Sequence, residues 1–151
     1  MEKMKMMLVD DEERFLSTTS KLLSRKGYEV ATATSGSDAL EKLRTQKIHV
    51  VILDVKMPGG IDGIETLREI KRHQPLTEVI LLTGHGSVET SIEGMKMGAF
   101  DYLLKPIKLE ELMVKLSEAF EKKDLQEQKI RKARIKELVR FPGRVFQQEK
   151  E

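Results

Sequence analysis

Three acidic residues follow two apolar runs of the sequence, and their carboxylates could bind a cation or act as nucleophiles. Asp10 and Asp11 come directly after the run 6–9, and Asp54 comes directly after the run 50–53. Short apolar runs of this kind are typical of buried parallel strands, whose carboxyl ends meet at one edge of a sheet. Because crowded carboxylates raise one another's pKa, a shared pocket favours a hard divalent cation with oxygen ligands.

Two further polar residues are predicted at the same edge. Thr83 follows the apolar run 79–82, and Lys105 follows the run 102–104. Taken singly, these residues have ordinary explanations, since a threonine after a strand is often a turn hydroxyl and a loop lysine is usually solvated. The two acids Asp10 and Asp11 also have an ordinary explanation, because aspartates before a helix commonly cap it. The prediction of a site therefore depends on all five residues occurring together.

The positions of these residues depend on a regular alternation of strands and helices. Strands are predicted at 4–9, 28–33, 50–53, 79–82 and 102–104. The first helix is predicted at 12–26, and the second begins at a cap formed by Ser37-Asp38. The third carries the apolar stripe Ile61, Ile64, Leu67 and Ile70, the fourth covers 87–97, and the fifth runs from Leu109 to Phe120. We expect Phe15, Leu22 and Leu23 to be the inward residues of the first helix. Right-handed crossovers then give an α/β fold, a flavodoxin-like, doubly wound five-stranded parallel sheet with strand order 2-1-3-4-5.

Composition excludes several classes of protein. The 151 residues include no Cys, so disulfides, thiolate catalysis and cysteine zinc sites are excluded, and a reducing cytoplasmic location is expected. Residues 1–120 carry 17 Lys/Arg and 19 Asp/Glu, whereas residues 121–151 carry 10 and 6. Without a concentrated basic face, direct nucleic-acid binding is not expected, and no signal peptide or membrane span is predicted. We expect one domain at 1–120, and at 121–151 a charged helical extension with a frayed tail.

Together these motifs resemble the receiver domains of bacterial two-component response regulators over residues 4–120. The matching features are Asp10-Asp11, Asp54, Met57-Pro58 with Asp62-Gly63, Thr83 and Lys105-Pro106. The segment 82–106 is especially similar to receivers of the nitrogen-regulator type. One departure is the segment Gly59-Gly60-Ile61, which is one residue longer than the family pattern and which two glycines can accommodate.

The resemblance implies a role for each acid. Asp54 is the expected phosphoacceptor, and a carboxylate can attack phosphorus to give an aspartyl phosphate. Asp11 is expected to bind Mg²⁺ directly and Asp10 to assist through water. The backbone carbonyl of Lys56 is expected to complete the protein ligands.

The resemblance also implies roles for three residues at the ends of later strands. Lys105, aimed by a cis peptide before Pro106, is expected to spread the charge of the phosphoryl oxygens. Thr83 is expected to contact the phosphoryl group, and Tyr102 to move into the space that Thr83 leaves. The surface of the fourth helix, fifth strand and fifth helix would then change shape.

The implied function is a signalling receiver that accepts a phosphoryl group from a sensor histidine kinase and contacts a downstream protein. It is not expected to be an enzyme beyond catalysing its own phosphorylation and slow autodephosphorylation, and it is expected to be a monomer or weak homodimer. Two alternatives are the receiver portion of a longer transcriptional regulator and an interaction module that has lost phosphorylation. A third, a phosphatase of the haloacid-dehalogenase type, requires an acid two residues after the nucleophile, where this chain has Lys56.

Overall fold

Five parallel strands alternate with five helices along the chain, in a computed structural model that describes residues 4–57, 59–84 and 88–140. The strands are β1 (Lys5–Val9), β2 (Glu29–Ala33), β3 (Val50–Asp54), β4 (Glu78–Thr83) and β5 (Asp101–Leu104). The helices are α1 (Glu13–Arg25), α2 (Gly36–Thr45), α3 (Gly63–His73), α4 (Val88–Lys96) and α5 (Leu109–Arg140). The predictions for Pro58 and for the tail 141–151 lie outside the described residues.

The strand order β2-β1-β3-β4-β5 confirms the predicted topology. β1 lies between β2 and β3, and the register pairs Val9 with Leu53. The residues that follow this pair, Asp10 and Asp54, therefore stand next to each other at the carboxyl edge of the sheet. The chain reverses its direction of winding at this point, so the two strands leave a crevice between the helices on either face.

Two apolar cores cover the two faces of the sheet, because successive strand residues point to opposite sides. In β1, Met7 and Val9 belong to the core under α2 and α3, whereas Met6 and Leu8 belong to the core under α1 and α5. All four side chains are fully buried. Such continuous apolar runs are what a sheet covered on both faces requires.

The inward face of α1 differs from its prediction. Leu23 is buried as expected, but Leu22 is 38% exposed and Leu16 is buried in its place. Leu16 and Leu23 are seven residues apart, two helical turns, so they share one face. Phe15 is only partly buried against the same core. The prediction for Leu22 was therefore wrong.

The start of α2 also differs from its prediction. Ser35 rather than Ser37 is the N-cap, and its side chain accepts a hydrogen bond from the backbone N–H of Asp38 at 3.0 Å. Asp38 in turn accepts from the backbone N–H of Thr34 at 3.3 Å. This exchange resembles a capping box, in which a residue at the third helical position reaches back to the start of the helix.

The long helix α5 continues through residue 121 without a break. Phe120 packs on the core, and Lys123 is buried with its Nζ 2.6 Å from Glu127 Oε1. Lys122 Nζ lies 3.4 Å from the buried carboxylate of Glu78 at the base of β4. The first turns beyond Phe120 are therefore attached to the sheet. Within the described ranges, no helix has both the length and the apolarity to cross a membrane.

Candidate functional site

Three carboxylates converge at the carboxyl edge of β1 and β3. Asp10, Asp11 and Asp54 each place an oxygen within 4.8 Å of the others. Asp10 is fully buried and Asp54 is 6% exposed, whereas Asp11 is open to solvent. The pocket thus has two buried acids at its base and one at its mouth. An all-oxygen set of this kind suits a hard cation such as Mg²⁺.

Backbone donors fix the orientation of the two buried carboxylates. Asp10 Oδ1 accepts a hydrogen bond from the backbone N–H of Glu12 at 2.9 Å. Asp54 Oδ1 accepts one from the backbone N–H of Lys56 at 3.2 Å. Glu12 is the N-cap of α1 and makes no side-chain cap bond. Asp10 therefore orders the turn before α1 with one oxygen and leaves the other for the pocket.

Lys105 brings a cation to the buried acids. Its Nζ lies 2.8 Å from Asp10 Oδ2 and 3.2 Å from Asp54 Oδ2. The Lys105–Pro106 peptide bond is cis, as the family resemblance implies, and the Lys105 backbone N–H donates to the Thr83 carbonyl at 2.8 Å. The end of β5 is thereby joined to the end of β4, with the lysine side chain reaching across to β3 and β1.

The electrostatics of the pocket leave an excess of negative charge. Burial raises the pKa of Asp54 and the Asp10 carboxylate raises it further, while Lys105 offsets only part of this increase. Burial lowers the pKa of Lys105, but its hydrogen bonds and charge interactions with Asp10 and Asp54 outweigh burial, so the net shift is upward. One ammonium cannot neutralise three carboxylates, and a divalent cation at this position would complete the neutralisation.

Thr83 and Tyr102 lie on neighbouring strands beside the acids. Thr83 is 1% exposed at the end of β4, and among the described residues its Oγ1 has no hydrogen-bond partner. Tyr102 on β5 is 41% exposed, and the register pairs it with Leu81. A buried hydroxyl without a partner is costly, and it leaves a donor for a ligand that binds in the pocket.

Two contacts at the site did not follow from the sequence. The ring of Phe15, predicted as a core residue, lies with its centroid 5.2 Å from Lys105 Nζ. Gly63 at the start of α3 approaches the end of β3 so closely that a Cβ there would lie 2.5 Å from the carbonyl oxygen of Asp54. The sequence contained a signal for each residue: Phe15 is an aromatic residue one helical turn after the acid pair, and Gly63 belongs to the Asp62-Gly63 motif of the family resemblance.

The loop between Asp54 and α3 contains the segment Gly59-Gly60-Ile61. Gly59 and Gly60 have φ values of +78° and +63°. This left-handed conformation costs glycine little because it has no Cβ. Asp62 then caps α3 by accepting a hydrogen bond from the backbone N–H of Glu65 at 2.8 Å. The two glycines thus supply the turn that leads back to a regular helix start.

Comparisons with known proteins match this arrangement. The family model described as the response regulator receiver domain matches residues 6–117. An NtrX-like response regulator of Rickettsia conorii is 34% identical over 131 residues, which are 86% of this chain and 28% of that protein. The transcriptional regulatory protein ZraR of Escherichia coli is 41% identical over 113 residues, which are 75% of this chain and 25% of that protein. This chain spans about a quarter of the length of these relatives.

Solved structures give the same result. A response regulator receiver domain protein from Clostridium thermocellum has a TM-score of 0.77 and 40% identity, covering 82% of this chain and 98% of that one. NtrX from Brucella abortus has a TM-score of 0.79 and 30% identity, covering 84% of this chain and 29% of that one. With the strand order and the acidic pocket already described, the chain belongs to the response regulator receiver domain family.

Proposed function

We propose that this protein accepts a phosphoryl group on Asp54 from the phosphohistidine of a sensor histidine kinase and then changes a surface that binds a downstream protein. The observation that carries the proposal is the environment of Asp54. Its buried carboxylate lies 3.2 Å from the Lys105 ammonium and shares a pocket with Asp10 and Asp11. A nucleophilic carboxylate, a cation and two further acids are the parts that phosphoryl transfer to an aspartate requires.

The transfer itself is a displacement at phosphorus. An oxygen of the Asp54 carboxylate attacks the phosphorus, the bond from phosphorus to the kinase imidazole nitrogen breaks, and its electron pair stays on the nitrogen. The product is an acyl phosphate on Asp54. Lys105 is already within hydrogen-bond distance of this carboxylate, so its ammonium stabilises the charge on the phosphoryl oxygens without a large movement.

Asp10, Asp11 and Asp54 are the side chains that would hold Mg²⁺ in this proposal, with the backbone carbonyl of Lys56 as a further ligand. The carboxylate oxygens within 4.8 Å of one another fit a small hard cation that keeps part of its water shell. When bound, Mg²⁺ supplies positive charge to the phosphoryl oxygens. Asp10 also holds the Lys105 ammonium in place at 2.8 Å.

Thr83 couples the phosphoryl group to the protein surface in this proposal. Its buried Oγ1 would donate to a phosphoryl oxygen, and Tyr102 would move into the space that Thr83 vacates. The surface concerned, formed by α4, β5 and α5, has several exposed apolar side chains, namely Val88, Ile92, Met95, Leu104 and Val114. Exposed apolar clusters are typical of protein docking sites. We therefore propose that the partners that bind this surface are proteins rather than nucleic acid. We also propose that the protein is cytoplasmic.

A second candidate, that the chain is the receiver portion of a longer regulator, is compatible with the comparisons. The curated relatives are about four times as long as the matched segment, and ZraR is named a transcriptional regulatory protein. The helix α5 of 32 residues would then serve as the connector to an output domain. Both candidates share the same phosphorylation site and differ in whether an output domain is joined to the receiver.

In either case we propose a monomer or weak homodimer. One line of α5 follows a coiled-coil repeat and is exposed: Val114, Glu118, Glu121, Leu125, Gln128, Lys132, Ile135 and Val139. Half of these residues are polar, and a stable coiled coil needs apolar residues at nearly all such positions. Sedimentation of the full chain and of a chain ending at Glu121, each with and without beryllofluoride, measures the pairing. A tight dimer unaffected by truncation and by beryllofluoride would contradict this part of the proposal.

Labelling with acetyl phosphate tests the phosphorylation site. We expect intact-mass measurement to find one phosphoryl group on the wild-type protein when Mg²⁺ is present, and none on the Asp54→Asn variant. Thr83→Ala should still be labelled, because Thr83 responds to the phosphoryl group and does not attack it, but NMR shifts at Tyr102 on adding beryllofluoride should be lost. Equal labelling of Asp54→Asn would refute the assignment of the acceptor.

A further inference from the structure

An aromatic ring lies beside the Lys105 ammonium. The Phe15 ring centroid lies 5.2 Å from Lys105 Nζ, which is within the range of a cation–π contact. The same ammonium lies 2.8 Å from Asp10 Oδ2 and 3.2 Å from Asp54 Oδ2. The ammonium therefore has two carboxylates and the ring of a phenylalanine as its neighbours.

We propose that Phe15 is a positioning residue for phosphoryl transfer, which holds the Lys105 ammonium beside Asp54. The inference rests on the proposed function of Asp54. A lysine side chain has a flexible four-carbon stem and three rotatable donors, so a hydrogen bond to one carboxylate does not fix where the charge lies. A ring face attracts the cation electrostatically and at the same time limits the space that the stem can explore.

The location of Phe15 supports this role better than a role in the core alone. Leu16 and Leu23 already supply the fully buried contacts of α1, while Phe15 is only partly buried and packs on the edge of the same core. Its side chain thus contacts both the core and the Lys105 ammonium of the pocket. Since α1 begins at Glu13, the ring sits in the first turn after the acid pair, on a rigid element.

The cation–π contact also suits the change of charge during the reaction. When Asp54 becomes an acyl phosphate, its carboxylate loses its negative charge and the transferred phosphoryl oxygens bring theirs, so the charge that the ammonium faces lies further from the Asp54 backbone. A cation–π contact is less directional than a hydrogen bond, so Lys105 can pivot over the ring without losing it. An aliphatic residue at position 15 would fill the space but would not attract the charge.

A set of three variants separates these roles. Phe15→Leu removes the ring and Phe15→Tyr keeps it. Phe100→Leu is the matched control, because Phe100 is also partly buried and its ring lies 5.7 Å from Lys122 Nζ. That contact is not part of the pocket. With acetyl phosphate and Mg²⁺, Phe15→Leu should be phosphorylated about 2- to 5-fold more slowly, the effect expected of a lost cation–π contact. Phe15→Tyr and Phe100→Leu should keep the wild-type rate.

The NMR shifts of the Lys105 ε-protons report the contact without any phosphorylation. A proton above a ring face is shifted upfield, so the wild-type protein and Phe15→Tyr should show this shift and Phe15→Leu should not. Ordinary shifts in the wild-type protein would overturn the proposal even if Phe15→Leu did not fold. An unchanged rate in Phe15→Leu, or an equal loss in Phe15→Tyr, would overturn it as well. If the wild-type protein were never phosphorylated at Asp54, the proposed function would be wrong. The shifts of the Lys105 ε-protons would still test the contact with Phe15.

Discussion

The close approach of α3 to the end of β3 makes Gly63→Ala an informative substitution. A Cβ at Gly63 would lie 2.5 Å from the Asp54 carbonyl oxygen, 2.6 Å from Val55 Cα and 2.8 Å from the Val55 carbonyl oxygen. All three atoms belong to the backbone, so no side-chain rotation can relieve the contact. Either α3 moves away from the sheet or the end of β3, with Asp54, shifts.

The loss of stability in Gly63→Ala can be calculated from the contact between the new Cβ and the backbone. Forcing extra volume into a well-packed site costs about 1–3 kcal/mol of unfolding free energy. For a chain of this length, 1 kcal/mol corresponds to roughly 3 °C in Tm, so Gly63→Ala should melt about 3–9 °C lower. Replacing glycine also restricts the unfolded chain, which stabilises by about 0.4–1 kcal/mol and reduces the net effect slightly. Gly84→Ala controls for this term, because nothing described lies within 4 Å of its Cβ position.

Thermal unfolding by circular dichroism and labelling with acetyl phosphate together test the reasoning. Gly63→Ala should lose stability and should also be labelled roughly 10-fold or more slowly, since misplacing a reacting group by a fraction of an ångström is costly. Gly36→Ala is the second control, because its Cβ would meet the Thr66 and Ile61 side chains, which do not carry Asp54. Labelling of Gly63→Ala at the wild-type rate, or an equal loss in Gly36→Ala, would refute the argument.

Three further predictions concern stability. Ser35→Ala should lower the free energy of unfolding by about 1 kcal/mol and Ser37→Ala by much less, because Ser35 is the cap of α2, and urea unfolding measures both. In EDTA, Asp54→Asn should be more stable than wild type at pH 7. The folded-state pKa of Asp54 is raised above 3.8, so ionisation of Asp54 lowers the free energy of unfolding. This loss of stability is absent below pH 3.8 and grows as pH rises through the folded pKa. Urea unfolding from pH 4 to 7 should show this difference increasing with pH, and a constant difference would contradict it. Mg²⁺ should stabilise the wild-type protein by about 2.7 kcal/mol at a concentration of 100 Kd, and Asp11→Asn less at the same concentration, as thermal shifts would measure.

The arrangement of the strands could be predicted because the sequence marks both the strands and their ends. The runs before Asp10 and Asp54 are apolar without interruption, as strands covered on both faces must be, and the first polar residue marks the exit from the core. The observed order then places β1 beside β3, so the proximity of the acids follows from topology alone. The roles assigned to the individual acids remain predictions.

Contacts that depend on packing between distant elements could not be predicted in this way. Lys105 and Asp10 are 95 residues apart; the strand pattern placed both at one edge of the sheet, but it could not show that their side chains make contact. Phe15 has the same apolar character as a core residue, so its contact with Lys105 left no mark on the periodicity. Lys123 is buried although its charge predicts exposure, because Glu127 one turn later pairs with it.

The start of α2 is a different case, since its signal was present in the sequence. Ser35 and Ser37 are equally good capping residues, but only Ser35 has an acid three positions later, at Asp38. That spacing lets the acid reach back toward the residue before the cap, and the structure contains this bond from Thr34. A pairwise criterion therefore distinguishes the two serines where residue type alone does not.

Two groups of the pocket are unfavourable for stability, and a bound ligand could relieve each of them. Burial and the Asp10 carboxylate raise the pKa of Asp54, and the Thr83 hydroxyl is buried with no partner among the described residues. A cation relieves the first of these costs, and a phosphoryl oxygen supplies the missing acceptor for the second. In a protein that only had to be stable, both groups would be replaceable by apolar residues or paired internally. In the proposed function, binding energy in the pocket would be used to satisfy groups already attached to β3 and β4, and the resulting change would be delivered to the adjoining surface of α4, β5 and α5.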